Sequence, residues 1–330
     1  MPLVQDSTCN ETEVLEIQNS TFLHISETIM LILSIIALPI LLIAVIKCVT
    51  NAHFHLNIRI ITAAHCISIL LHCIGRIIQH SSDMYLWMGP LATCDRRQFI
   101  GVCVVSRSLY SFGIYYSSFT TVFVAFERTI ATHFTKKYEN KKSKCGIAFV
   151  VIQALISIII TFGLFYETDL PNRPVYCVLN SDKPWTVTVD LITMSSNFFA
   201  FIQCYRMYKI NMKLRIITTQ TTLSQKYTIE ENKTLIQICM RFTCLDFVFM
   251  ITYFMKTILT EMYPTQRKEY AYAICELVHC APVYAIVVIL TMQRIIKKIQ
   301  TERVVKLKAE VEVKDDAYFY FFKQQWSQSK

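Results

Sequence analysis

Apolar residues along this chain gather in seven long blocks separated by short polar stretches, not in the narrow stripes of a water-soluble core. The blocks run Thr28 to Ile46, Leu56 to Ile74, Phe99 to Phe126, Gly146 to Tyr166, Trp185 to Tyr208, Leu235 to Leu259 and Tyr270 to Gln293. A hydrocarbon layer about 30 Å thick takes roughly 20 apolar helical residues to cross, and every block is of that order. Membrane β-strands would read as short alternating segments, whereas within a continuous apolar run only a helix satisfies each backbone group. The pattern predicts an all-α membrane protein, a seven-transmembrane helix bundle over residues 28–293. Residues 1–27 precede it and residues 294–330 follow as a tail.

Charge orients the bundle. Of the 33 lysines and arginines, 23 fall in Lys47–Arg59, Glu127–Cys145, Arg206–Thr234 and the stretch after Gln293, against 8 on the other side. Basic residues flanking spans are held in the cytoplasm, which puts the N-terminus outside and the tail inside. The first 27 residues hold five acids and no lysine or arginine. That is the reverse of a cleavable signal peptide, so the first helix is expected to be retained. Asn10-Glu11-Thr12 and Asn19-Ser20-Thr21 are glycosylation acceptors on the side assigned to the exterior, making Asn10 and Asn19 the expected sugar sites. A third match, Asn232-Lys233-Thr234, lies on the inner side and should stay unmodified. The net charge of +9 follows from basic loops against anionic inner-leaflet lipid and implies no nucleic acid.

Thirteen cysteines show no C-x-x-C and no zinc-ligand spacing, and most lie within spans as small apolar filler. Cys9, Cys94 and Cys177 face an oxidising compartment instead. A Cys94–Cys177 bridge would tie the loop between the fourth and fifth spans over the bundle mouth. Cys103, 25 residues before Arg128 where Cys94 is 34 before it, competes for Cys177 but sits in the apolar run. The preferred reading is therefore Cys94 with Cys177.

Ionisable residues inside spans must face protein or water. Arg107, Ser111, Ile114, Ser118 and Thr121 share one stripe of the third helix, with Arg128 within about 60° of it and Glu127 pointing elsewhere. Asp190, Thr193 and Asn197 share a face of the fifth helix, and Tyr272, Glu276, His279 and Val283 one of the seventh. Arg107, Ser111, Asp190, Asn197, Tyr272 and Glu276 are read as lining a water-accessible ligand cavity, with Arg107 paired to one of the acids when no ligand is bound. The competing reading is an interhelical ion pair of structural purpose only. Asp246 reads as a helix-packing hydrogen bond, with a bound-ion site as its alternative. His65, His72 and His279 raise the question of an intramembrane zinc hydrolase. No H-x-x-x-H, His-Asp pair or nucleophile motif accompanies them. Hence no catalytic residue, metal or cofactor is assigned, and the chain is not read as an enzyme. No internal repeat is visible and only six glycines occur, so the broken helices of a transporter or ligand-gated channel are not evident.

Glu127-Arg128-Thr129-Ile130-Ala131-Thr132, then Lys137-Tyr138-Glu139, with Leu223-Ser224-Gln225-Lys226-Tyr227 and Glu230-Glu231-Asn232 before the sixth span, resemble the nematode serpentine chemoreceptors of the class alpha group, most closely class AB. Trp87-Met88-Gly89 resembles the first extracellular loop of rhodopsin-like receptors. The resemblance covers the seven-span region and implies a G protein-coupled chemosensory receptor in the plasma membrane of sensory neuron cilia, with a heterotrimeric G protein as partner and a receptor dimer as an option. It brings no ligand. Against the rhodopsin-like pattern, the first span lacks its asparagine, the second its aspartate and the sixth its proline, while the seventh reads Ala281-Pro282-Val283-Tyr284. A sodium pocket of the usual kind is not implied, and Pro282 should kink the seventh helix.

The switch such receptors use maps to Arg128, whose resting partner would be Glu127, Glu230 or Glu231, the last two preferred. Outward movement of the sixth helix would break that pairing and open a crevice for a G-protein helix. In the tail, Arg294 to Leu307 interleaves bases with Ile295, Ile296, Ile299, Val304 and Val305, as an amphipathic helix on the inner leaflet would. Tyr318 to Phe322 with Trp326 reads as an interfacial anchor.

Overall fold

In the computed structural model, residues 9–50, 55–133, 144–166, 174–177, 184–217, 223–262, 268–298, 301–302 and 305 are described; the side chains of 144, 184, 215–217, 223–231 and 256–262 are not. Among the described residues there is no strand. Among them, seven helices are long and apolar enough to cross a membrane: Thr21–Thr50, Leu56–Met88, Thr93–His133, Cys145–Tyr166, Trp185–Leu214, Asn232–Met255 and Lys268–Lys298. They are called here the first to seventh spans. A short helix, Glu11–Gln18, precedes them, and a 3-10 turn, Thr93–Arg96, leads into the third. The chain divides into two units, Met1–Ile289 with the bundle and Leu290–Lys330, of which residues 290–298 are helical.

The first span shows why these helices suit lipid. Ile32, Ile35, Ile36, Leu42, Ile43 and Ile46 are exposed, while Ser34, Ala37 and Leu41 are buried. The outward face is thus made of branched apolar side chains, while small and polar ones, with Leu41, turn inward, as expected where lipid gives helices no hydrophobic reason to associate. The second and third spans pack most extensively, and two glycines permit it. A Cβ on Gly75 would stand 2.6 Å from the Ser106 carbonyl oxygen, and one on Gly113 would stand 2.5 Å from that of Ser68. Polar contacts fix the neighbours: Gln153 of the fourth span donates to the Thr120 hydroxyl of the third at 2.6 Å.

Several helices run past their apolar blocks, and two of these extensions share one reason. The first helix starts at Thr21 and not Thr28, and the second runs to Met88, well past Ile74. Both extensions carry polar residues turned into the protein: Glu27, Arg76, Gln79, His80 and Asp83 are all buried. Hydropathy detects the lipid-facing surface and misses helix whose inward face is ionic. The seventh span is interrupted at His279–Cys280, between helix Lys268–Val278 and helix resuming at 281. Pro282 lacks the N–H that would reach the Val278 carbonyl, and the Cys280 N–H donates to that oxygen instead at 2.8 Å.

The expected Cys94–Cys177 bridge is replaced by two others: Cys103 joins Cys177 and Cys9 joins Cys94. Cys103 lies in the first turn of helix Ile100–His133, where it is fully buried, with its Cα 5.6 Å from that of Cys177. Cys94 belongs to the preceding 3-10 turn, 6.1 Å by Cα from Cys9. Cysteine in an apolar run is filler on average, but this one is at the mouth of the bundle, in reach of the loop. Cys103→Ser and Cys177→Ser should therefore behave alike, each losing about 2–4 kcal/mol, and Cys9→Ser should match Cys94→Ser. Thermal melting with non-reducing peptide mapping checks this; a cross-linked peptide holding Cys94 and Cys177 would reject the assignment.

Candidate functional site

The extracellular half of the bundle is organised on one carboxylate. Glu276 of the seventh span is 1% exposed. It receives Arg107 of the third span at Oε1, 2.7 Å away, and Arg76 of the second at Oε2, 2.9 Å away. Arg76 also donates to the Glu276 backbone carbonyl at 3.2 Å, and the Tyr176 hydroxyl donates to Oε1 at 3.2 Å. Arg107 Nε donates to the Cys177 carbonyl at 2.8 Å, so the disulfide that fixes Cys177 also positions the guanidinium. Tyr110 lies between the two arginines, each guanidinium carbon 5.1 Å from its ring centroid, a cation–π arrangement. Burial holds the Tyr176 phenol, in the extracellular loop, well above its ordinary pKa, so it stays a hydrogen-bond donor. Removing two guanidinium ions and a carboxylate from water is costly unless each finds a partner, and here all three do.

A lid covers this core. Tyr176 stacks on Tyr272 at 4.9 Å, and Ile17, Leu23, Tyr176 and Ala273 form an apolar cluster. The short helix thereby becomes part of the mouth, held also by Lys268–Glu13 at 2.8 Å. Asn10 and Asn19 are both exposed.

The other expected cavity residues are placed separately. The Tyr115 hydroxyl donates to Asp190 at 3.1 Å, and the Thr121 hydroxyl donates to Asn197. Ser111 is buried. Of the six, Arg107 and Glu276 meet, with Tyr272 reached through Tyr176. Aromatic rings join the two polar regions: His279 lies 5.2 Å from Tyr110 and 4.8 Å from Tyr253 by ring centroids. Arg76 follows the apolar block that ends at Ile74, so hydropathy does not mark it as part of a span. Its signal was available, since Arg76, Gln79, His80 and Asp83 keep helical spacing past Ile74. Among the described residues, His65, His72 and His279 form no ligand cluster; His65 faces Thr120 and His72 the Tyr110 carbonyl.

At the cytoplasmic end Arg128 and Glu127 are both buried, at 1% and 0% exposure. Glu127 does not point away. It takes Arg128 Nε at 2.5 Å and Nη2 at 2.8 Å, a two-point carboxylate clamp. Adjacent residues reach this geometry because the long guanidinium folds back along its own helix. Arg128 Nη1 donates to Asn232 at 3.2 Å, linking the third and sixth spans. The side chains of Glu230 and Glu231 lie outside the described residues. His55, capping the second span, is electrostatically coupled to this pair; its pKa is lowered, chiefly by burial, with Glu127 opposing and Arg128 adding to the shift. Further up, the Tyr284 hydroxyl donates to Asp246 at 2.7 Å, joining the seventh and sixth spans.

The family model described as serpentine type 7TM GPCR receptor class ab chemoreceptor matches residues 8–327. A relative, serpentine receptor class alpha/beta-14 of Caenorhabditis elegans, is 25% identical over 198 residues, covering 57% of this chain. The match spans about half of that relative's length, 50%.

Proposed function

We propose, for a chain that belongs to the serpentine seven-transmembrane chemoreceptors of class ab, that it detects a small molecule or peptide outside the cell and signals to a heterotrimeric G protein. In this reading the receptor lies in the plasma membrane with Asn10 and Asn19 outside, in the cilia of sensory neurons, and a dimer is compatible with it. The ligand engages the region of Arg107, Ser111, Asp190, Asn197, Tyr272 and Glu276, to which Arg76 is added. The G protein engages Arg128 once Glu127, Glu230, Glu231 and Asn232 release it. The observation that carries the reading is the pairing of Arg107 and Glu276 beneath the disulfide-held loop. A ligand group that takes over either charge would move the third span against the seventh. The test expresses the receptor with a G-protein readout, screens compound panels for an agonist, and compares Arg107→Met with the parent. A potency shift of tenfold or more at matched surface level is expected. Unchanged potency with merely lower expression would assign the pair to structure alone.

A further inference from the structure

We propose that Glu27, His80 and Asp83 form a binding site for a divalent transition-metal ion of the zinc type, between the first and second spans at their extracellular ends. One ligand atom from each residue lies within 4.8 Å of the other two, and all three are buried. Around a tetrahedral zinc with bonds near 2.1 Å, ligand atoms stand about 3.4 Å apart, so modest side-chain rotation closes the site.

Two observations point to a ligand there. Glu27 Oε2 and both His80 ring nitrogens are buried and make no hydrogen bond, the nearest opposite groups being His24 Nδ1 at 3.5 Å from Glu27 and Glu276 Oε2 at 3.6 Å from His80 Nε2, in residues that are each 1% exposed. Buried polar atoms are otherwise satisfied as a rule. The second is charge. Both nearby guanidinium groups are directed at Glu276, and among the described residues neither Glu27 nor Asp83 has a lysine or arginine within 4.0 Å. Two carboxylates left facing each other in a low-dielectric interior need a cation or a shared proton. A divalent ion balances both, and an imidazole beside two carboxylates selects a borderline metal over the all-oxygen sets of calcium and magnesium.

Supporting contacts of the sort that orient metal ligands are present. Gln79 donates to Asp83 Oδ2 at 3.0 Å and is itself held by the Ser106 hydroxyl at 2.6 Å. Glu276 Oε2 stands 3.6 Å from His80 Nε2. His24 Nδ1, 3.5 Å from Glu27 Oε2, borders the site. The ion would clamp the first span to the second and sit one imidazole away from the carboxylate that holds both arginines.

The experiment reads metal and not signalling, so its outcome is independent of the function proposed above. Full-length receptor in lipid nanodiscs, stripped with chelator, is titrated with Co2+ and then with Zn2+ as competitor. One equivalent of Co2+ with ligand-field absorption is expected, displaced by Zn2+. Affinity should fall at least tenfold in Glu27→Gln and in Asp83→Asn, two near-isosteric changes. X-ray absorption on the wild-type zinc complex gives an arm that needs no variant: one imidazole with oxygen ligands is expected. Absence of stoichiometric binding, sulfur or several imidazoles around the metal, or undiminished affinity in the Glu27→Gln/Asp83→Asn double variant would each overturn the site. No binding together with a raised melting temperature in either single variant would assign the pair a shared proton instead.

Discussion

Glu276→Gln is expected to cost about 3–5 kcal/mol of stability, the usual penalty for stripping one partner from a buried ion pair. The amide keeps the shape of the side chain but leaves Arg76 and Arg107 close together, both charged and both out of water. Arginine cannot escape by losing its proton, so the penalty falls on the fold. Melting temperature of the purified receptor and its amount at the cell surface both report it. Adding Arg76→Met should recover part of the loss, because one of the two stranded charges is then gone. The double variant is thus expected to be more stable than the sum of the single effects requires. Additivity within about 0.5 kcal/mol would show the residues to be energetically independent and would refute the three-way arrangement.

The second large effect lies at the opposite end. Glu127→Gln is expected to raise signalling in the absence of agonist several-fold, while Arg128→Ala should abolish the evoked response, both compared at equal surface level. The carboxylate of Glu127 contacts Arg128 at two points, and Asn232 links the guanidinium to the sixth span. Neutralising the acid weakens the clamp without disturbing shape, which makes release of the sixth span easier. Glu231→Arg, which adds repulsion at the foot of that span, should act in the same direction by a smaller amount. Unaltered basal and evoked signalling in Arg128→Ala would end the switch proposal.

Much of the architecture is legible in the sequence. The seven apolar blocks each became a spanning helix, because the need to satisfy backbone groups in lipid leaves a long apolar run no other conformation. The family was legible from the loop motifs around Arg128 and before the sixth span, and the class ab match extends over residues 8–327. What stayed hidden were ends and partners. Hydropathy stops where a helix turns an ionic face inward, so the second span was cut at Ile74 and Arg76 was lost from the core. Helical phase gave the inward stripe of Arg107, Ser111, Ser118 and Thr121, all buried. It could not tell which acid would face Arg107, since that depends on how far each helix is shifted along its axis. Nor could it foresee that Arg128 folds back onto Glu127, because a flexible side chain is not bound to the direction of its Cβ. The cysteines failed for a related reason: counting three outside left one unpaired, whereas Cys103 at the helix mouth completes two pairs.

The interruption at His279–Cys280 gives the seventh span two rigid rods with a joint between them. The upper rod is pinned by Glu276 to the second and third spans, and the lower one is coupled through Tyr284 and Asp246 to the sixth. On the proposed switch, a displacement of the sixth span would reach the lower rod through that hydrogen bond. The break in the helix at His279–Cys280 is where the seventh span would absorb it, so the joint would set how much of the movement passes between the two ends.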